Sequence, residues 1–468
     1  MFRTENSRAL RFRLLTLTLT LFILLVSLGA VAAQNGAPGG NLPPGNPPGA
    51  GGPGSSATNE VTVANCGATT VDGVAADATD GLVYDSTADD QSALCVINGG
   101  SIAATDATIT KTGETSSGDE SSFYGLNAAV LVGAGSSLTL DGGMVTTEGS
   151  GTNGVFATGD NSTVVLSDLT IDANGDGAHA VMATLGGEMT LTDVDMNTTG
   201  AHSGAVATDR GSGTITVTGG TITTSGQDSP GIYSTGVIAV TGATISATGS
   251  ESAVIEGANS ITLTDTSLTS STEDKWGVMI YQSFSGDAEG NLGVFTMTGG
   301  SLSNTASTGP LFFVTNSAAT IVLSDVEVSV GSGVLAQAGA TERWGTEGAN
   351  GGAIELAADN QNLTGDLIAD SISSLSVNLR NQSSLTGAIN AEGTALSSAL
   401  TLDATSAWMV TADSVLTSLA GLTIDDGVVT NIVGNGYTVV YDASASPELD
   451  GGTYDLTDGG VLQPLVQS

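Results

Sequence analysis

Glu342, Arg343, Trp344 and Glu347 stand together in a chain with only 3 Trp and 9 Lys plus Arg among its 468 residues. A second stretch holds Phe284, Asp287 and Glu289, and Trp276 follows Lys275. An indole offers a flat apolar face, while carboxylates and a guanidinium hydrogen-bond to hydroxyls. Together they suit contact with a surface glycan or a protein on a cell surface. The competing reading is a loop packed on a sheet, with Trp344 covering a seam. Asp172, Asn174 and Asp176, with Gly175 and Gly177, match the first half of a calcium loop, but the twelfth position is Ala183 in place of the usual Glu. Asx residues at a corner between strands give the same pattern. The many exposed carboxylates could still gather calcium loosely, and no other cofactor is expected. Cys66 and Cys95 are the only cysteines, and an oxidising exterior would pair them across the first turn of the fold. Two buried free thiols are the alternative.

These residues must be positioned by a repeating scaffold. A run ending in Leu, Val or Met, followed by Ser, Thr or Asp and then Gly or Asp, recurs at Leu140, Leu166, Leu191, Val217, Val240, Leu263, Met297, Leu323, Leu356, Leu379 and Leu402. Successive differences are 26, 25, 26, 23, 23, 34, 26, 33, 23 and 23. Self-similarity at such a period means stacked units. One unit, residues 241–263, holds three short runs centred on Ile245, on Val254, and on Ile261 with Leu263. Each is read as alternating apolar and polar and is bounded by Gly, Asn or Ser. Runs this short satisfy their backbone groups only by pairing with the same run above and below. The expected fold is all-β: a right-handed parallel β-helix of three sheets, with three short strands per turn of about 23–26 residues. Apolar residues would fill the bore, Thr, Ser, Asp and Asn would face water, and Gly142, Gly143, Gly219, Gly220, Gly299 and Gly300 would turn the corners. The two longer turns carry their inserts after Gln282 and Gln337. Two turns apart is roughly 10 Å, so the inserts should meet on one corner, with Trp276 at the opposite one.

The ends set the compartment. Arg3, Arg8, Arg11 and Arg13 precede an apolar run over residues 14–31 that finishes in small residues, which reads as a bacterial-type export signal over residues 1–33. Left uncut, the same run is near the length of a membrane anchor. Residues 34–59, rich in Gly and Pro, read as a disordered tether, and residues 60–468 as the β-helix, with caps around 60–100 and 430–468. The destination would be extracellular or the cell surface. The formal charge is −39, and beyond the signal only Lys111, Arg210, Lys275, Arg343 and Arg380 oppose the acids. Such a surface repels nucleic acid and anionic lipid, so neither is an expected partner.

The repeats over about residues 66–465 resemble the right-handed parallel β-helix group, which includes pectate-lyase-like folds and the passenger regions of bacterial adhesins. The stretch with Leu402, Asp403, Ala404, Thr405, Ser406, Ala407 and Trp408, and the later Tyr437, Tyr441, Asp442, Gly451, Gly452, Tyr454, Gly459 and Gly460, resemble the ends of secreted adhesin-like repeat proteins. The resemblance implies a surface-exposed structural or binding module, or else a polysaccharide lyase or hydrolase of the same shape. The lyases use an acidic calcium cluster with a basic Arg in Arg-rich motifs, whereas Arg210 and Arg380 each lack a second Arg nearby. The hydrolases' Asp pair is matched only at Asp89 and Asp90, and His179 and His202 lack the flanking glycines. No catalytic residue is therefore assigned. Threonine ladders on a solenoid can order water. Thr214, Thr216, Thr218, Thr221 and Thr223 fit that pattern, although Ser, Asp, Asn and Ala interrupt it in the sequence.

Overall fold

The computed structural model describes residues 66–466 except 285–287 and 289. The expected export signal, the tether, the start of the N-terminal cap at 60–65, and Asp287 and Glu289 lie outside the described residues. The chain winds into a parallel β-solenoid of about 16 turns.

One turn shows how the sequence does this. A first strand, Ser260–Thr264, alternates buried Ile261 and Leu263 with outward Thr262 and Thr264. A second, Ser267–Ser270, buries Leu268, and a third, Val278–Tyr281, follows a loop. Each strand lies parallel to and in register with its counterparts in neighbouring turns. Val240, Leu263, Met297 and Leu323 stack in the first position, Ile222, Ile245, Leu268 and Leu302 in the second, and Ile232, Ala253, Val278 and Phe312 in the third. A strand of four or five residues thus pairs its backbone groups with the turns on either side. The inward columns fuse into one continuous apolar core.

Three sheets were expected, one per strand position, and the pairing departs from this. Third strands build a 12-stranded sheet, but first and second strands share a 22-stranded one. Ser101–Lys111 and Ser137–Thr147 run unbroken through both positions and join them. A further 9-stranded sheet occupies the C-terminal part. There Tyr454–Thr457 turns antiparallel to Val461–Pro464.

The recurring motif marks a left-handed residue after the first strand. Asp106, Asp168, Asp193, Asp265, Asp325, Asn360 and Asn381 take this role interchangeably with Gly142, Gly219, Gly242 and Gly299, all at positive φ. Glycine adopts that conformation freely, and Asp and Asn tolerate it best among the rest. One repeat is misplaced in the sequence reading. Leu323 stacks on Ala358, not Leu356, and Ala358 on Leu379, so these spacings are 358 − 323 = 35 and 379 − 358 = 21. Ala358 is fully buried, but its small side chain hides it among the larger residues that mark the period.

The corner glycines separate two costs. Gly242 has a φ of 68° and open space where a Cβ would project. Gly300 has a φ of 73°, and its Cβ would run into the Thr266 carbonyl of the preceding turn. Gly242→Ala should therefore cost about 1 kcal/mol of backbone strain. Gly300→Ala should cost about 1–3 kcal/mol more from the clash, read as a larger drop in the urea midpoint.

Candidate functional site

The third strands differ from the others in being buried on both faces, as in Ala253–Glu256, Val278–Tyr281 and Phe312–Thr315. Such strands read as unbroken apolar runs, not alternating ones. Their outer residues form one column along the stack: Cys95, Leu131, Phe156, Met182, Ala207, Tyr233, Val254, Met279, Phe313, Gln337 and Ile368. Val254, read from the sequence as the centre of its run, points outward, and Ala253 and Ile255 take the core.

An apolar stripe on the outside of a solenoid needs cover. At the N-terminal end it comes from the Cys66–Cys95 disulfide and a helix, Gly118–Tyr124. Ser117 caps the helix by accepting from the Glu120 N–H at 3.3 Å. Gly125 ends it at a φ of 75°, where a Cβ would meet Leu131 and Phe156. Phe123 is buried, and the Arg210 guanidinium lies 4.0 Å over its ring.

Further along, the aromatics do the covering. The Trp276 ring stacks on Phe313 with centroids 4.3 Å apart, and Trp344 leans on Tyr281 at 4.9 Å. Both indoles belong to one patch with Tyr233, Val254 and Met279. Trp276 was expected at the corner opposite Trp344. It does enter from the other end of its strand, but its ring turns across the sheet face to the same cluster. The two inserts occupy the corner after the third strand, where Asn316 donates to the Gln282 carbonyl at 2.7 Å and to the Asn350 carbonyl through its backbone N–H at 3.0 Å. Arg343 sits 4.7 Å over Trp344 and, with Glu342 and Glu347, is exposed. Phe284 is 63% exposed and stands clear of the patch.

Beneath the rings is a buried carboxylate that sequence reasoning did not single out. Glu256 accepts hydrogen bonds from the hydroxyls of Tyr233, Tyr281 and Ser283, that from Tyr281 at 2.8 Å. Burial, reinforced by this negative charge, pushes both tyrosine hydroxyls well above their ordinary range. Glu256 ends a short strand with nothing remarkable beside it in sequence, and only the register delivers Tyr281 from 25 residues away. At the patch edge Lys275 contacts Asp228 at 2.5 Å and Glu251 at 3.5 Å. Burial opposes its charge, but Glu251 and Asp228 outweigh it and hold the ammonium above its usual range. Of the five basic residues in the folded part, Arg210, Lys275 and Arg343 thus serve this one face.

The half calcium loop is taken up by contacts between turns. Asn174 accepts from the Thr199 hydroxyl at 3.1 Å and donates to Glu148 at 3.2 Å, and Asp176 accepts from the Ala201 N–H at 2.8 Å. Asp172 faces outward on Thr170–Ala173. Among the described residues no three His, Cys, Asp or Glu side chains gather to hold a metal. Asp89 and Asp90 accept from the backbone N–H groups of Glu114 and Ser116. Trp408 is fully buried and donates to the Gly387 carbonyl at 2.8 Å. His179 is buried in the loop before Val181–Thr184, its Nδ1 bonded to the Gly204 carbonyl at 2.7 Å. Burial lowers its pKa to about 4. No family model, curated protein or solved structure matches the chain.

Two outcomes follow from these buried groups. Glu256→Ala should cost about 2–3 kcal/mol by stranding buried hydroxyls, and ultraviolet titration should show the tyrosines of the variant ionising at lower pH. The folded chain resists protonating His179, so its neutral form contributes stability that is intact above the unfolded pKa of about 6.5 and is lost as pH falls toward 4. The full loss is about 3 kcal/mol, and a His179→Asn variant should show a correspondingly flatter stability profile across that window.

Proposed function

We propose that this protein is a secreted or surface-displayed, non-catalytic β-solenoid, adhesin-like in role, whose third-strand sheet carries a binding site for a glycan or a surface protein. The observation that carries the reading is the pairing of Trp344 on Tyr281 and Trp276 on Phe313 within one patch. Two of the chain's three Trp, with Lys275 and Arg343, gather where two inserted loops converge. Function concentrates on loops held by rigid scaffolds, and half-buried aromatic residues beside an Arg are the usual anchors of recognition. The part-exposed indoles and the exposed Arg343 present stacking and hydrogen-bonding surface together. Glu256, buried beneath them, fixes the tyrosine rings and leaves the patch preorganised.

The export-like leader and the acidic composition agree with life outside the cell. Loosely held calcium among the outward carboxylates would be compatible with this role.

A glycan array probed with the full chain tests the reading. Binding to a defined set of glycans should be lost in Trp344→Ala while the far-ultraviolet circular dichroism stays that of the parent. Turnover of a bound polysaccharide would overturn the non-catalytic assignment in favour of a lyase or hydrolase. Binding that survives Trp344→Ala would remove the patch as the site.

A further inference from the structure

The first strands of five consecutive turns, Glu188–Thr192, Thr214–Thr218, Val237–Thr241, Ser260–Thr264 and Leu292–Thr298, pair parallel and in register. Beside a mixed outward column of Glu188, Thr214, Val237, Ser260 and Val294, two further outward columns result. One is Thr190, Thr216, Ala239, Thr262 and Thr296, and the other is Thr192, Thr218, Thr241, Thr264 and Thr298. Every position but Ala239 is threonine. The Ser, Asp and Asn that break the pattern in the sequence fall on the second strands, on the corners and, with Ser260, in the mixed column.

These nine hydroxyls differ from the other surface hydroxyls nearby. None of them makes a side-chain hydrogen bond to another described residue, whereas on the second strands Thr221 bonds Asp195, Thr223 bonds Asn197, and Ser267 bonds Ser301. Neither column holds a charge. The flanking turns add Val165 with Ser167 and Val322 with Ser324, and the first charged residues in the columns are Asp141 and Asp359. In a chain of charge −39, these two columns are a neutral field bounded by acids, Glu188 of the mixed column among them.

The backbone sets the spacing. Paired strands repeat at about 4.8 Å, and alternate residues along a strand at about 6.6 Å, which makes a rectangular net of hydroxyls each beside a methyl. Branching at Cβ restricts each threonine to few rotamers, so the net is largely formed before any ligand arrives. The field covers on the order of 200–300 Å² by these spacings, well short of the roughly 800 Å² that each partner buries in a stable protein complex. It offers no ring for a sugar to stack on and no charge for an ion. What it matches is a partner with its own two-dimensional repeat of hydrogen-bonding oxygens: crystalline water. Water held against the methyls and bonded to the hydroxyls would lie close to the oxygen positions of an ice surface. Many weak contacts made at once to a single crystal then add.

We propose that the Thr-x-Thr face of these five turns, centred on Thr218, Thr241 and Thr264, binds ice. This site lies on different strands from the aromatic patch and does not depend on it.

The test is thermal hysteresis and ice-crystal shape in a nanolitre osmometer, using the full chain. The parent protein should hold crystals faceted and unchanged in size below the melting point. Thr241→Lys places a charge and a long side chain at the middle of the net and should abolish most of the hysteresis. Thr401→Lys makes the same change at an exposed position of the same sheet outside the five turns and should leave it intact. Circular dichroism of both variants reports that the fold is kept. Round, freely growing crystals with the parent protein would overturn the proposal, as would equal effects of the two substitutions.

Discussion

Every turn of this protein completes its backbone hydrogen bonding on another turn. A four-residue strand has no other way to satisfy its N–H and C=O groups, and that obligation forces successive turns into parallel, in-register stacks. Register then becomes a rule for side chains, because whatever occupies a position faces the same position one strand spacing away. Inward, the rule yields an unbroken core from small contributions of Ile, Leu, Val and Ala. At the corners it yields a ladder in which Asp, Asn and Gly exchange freely, since each accepts the left-handed backbone that the bend requires. Outward, it converts an irregular sequence into ordered columns of a single chemistry.

The solenoid was legible because its signal is carried by the largest buried residues at a nearly constant period. Where a column passes through a small residue the signal fails, which is why Ala358 was passed over for Leu356. The third strands were misread for a related reason. Their outer faces are covered, so apolar residues occupy both sides and alternation cannot say which way Val254 points. The candidate site was half visible. Trp344 and Arg343 announced themselves by rarity, whereas Glu256, Tyr233 and Tyr281 lie on three separate turns and become neighbours only once the register is known. Trp276 was placed by the position of its backbone, and its side chain reaches across the sheet to a different neighbourhood.

The solenoid presents two unlike surfaces. The third-strand face is apolar, covered, and carries two of the three Trp together with Arg210, Lys275 and Arg343. On the first-strand face two neighbouring columns are neutral and, but for Ala239, threonine throughout five turns. Both follow from the same stacking, and they differ only in what the outward positions carry and in whether a loop folds over them. Loops after the third strand can lengthen without disturbing the ladder, as residues 339–351 show, because the corner there tolerates insertion. The bend between first and second strands stays short throughout, from the pair Asp168 and Leu169 to residues 403–406 near the C-terminal end. Insertion in the described residues thus falls at the two corners that flank the third strand, since the helix Gly118–Tyr124 enters before Val130–Val132.

The Cys66–Cys95 disulfide ties the opening strand, Gly67–Asp72, to the one stacked upon it, Ser92–Ile97. Tension applied upstream would otherwise peel the coil one circuit at a time, each rupture loading only a few bonds. With the crosslink in place, a pull on the chain ahead of Cys66 passes directly through sulfur to Cys95, and the stretch between them, a sequence separation of 29, bears none of it. The pull must then begin unravelling at a circuit already gripped by a neighbour on both sides. A solenoid fastened this way would resist a pull at Cys66 far better than its thin individual layers suggest.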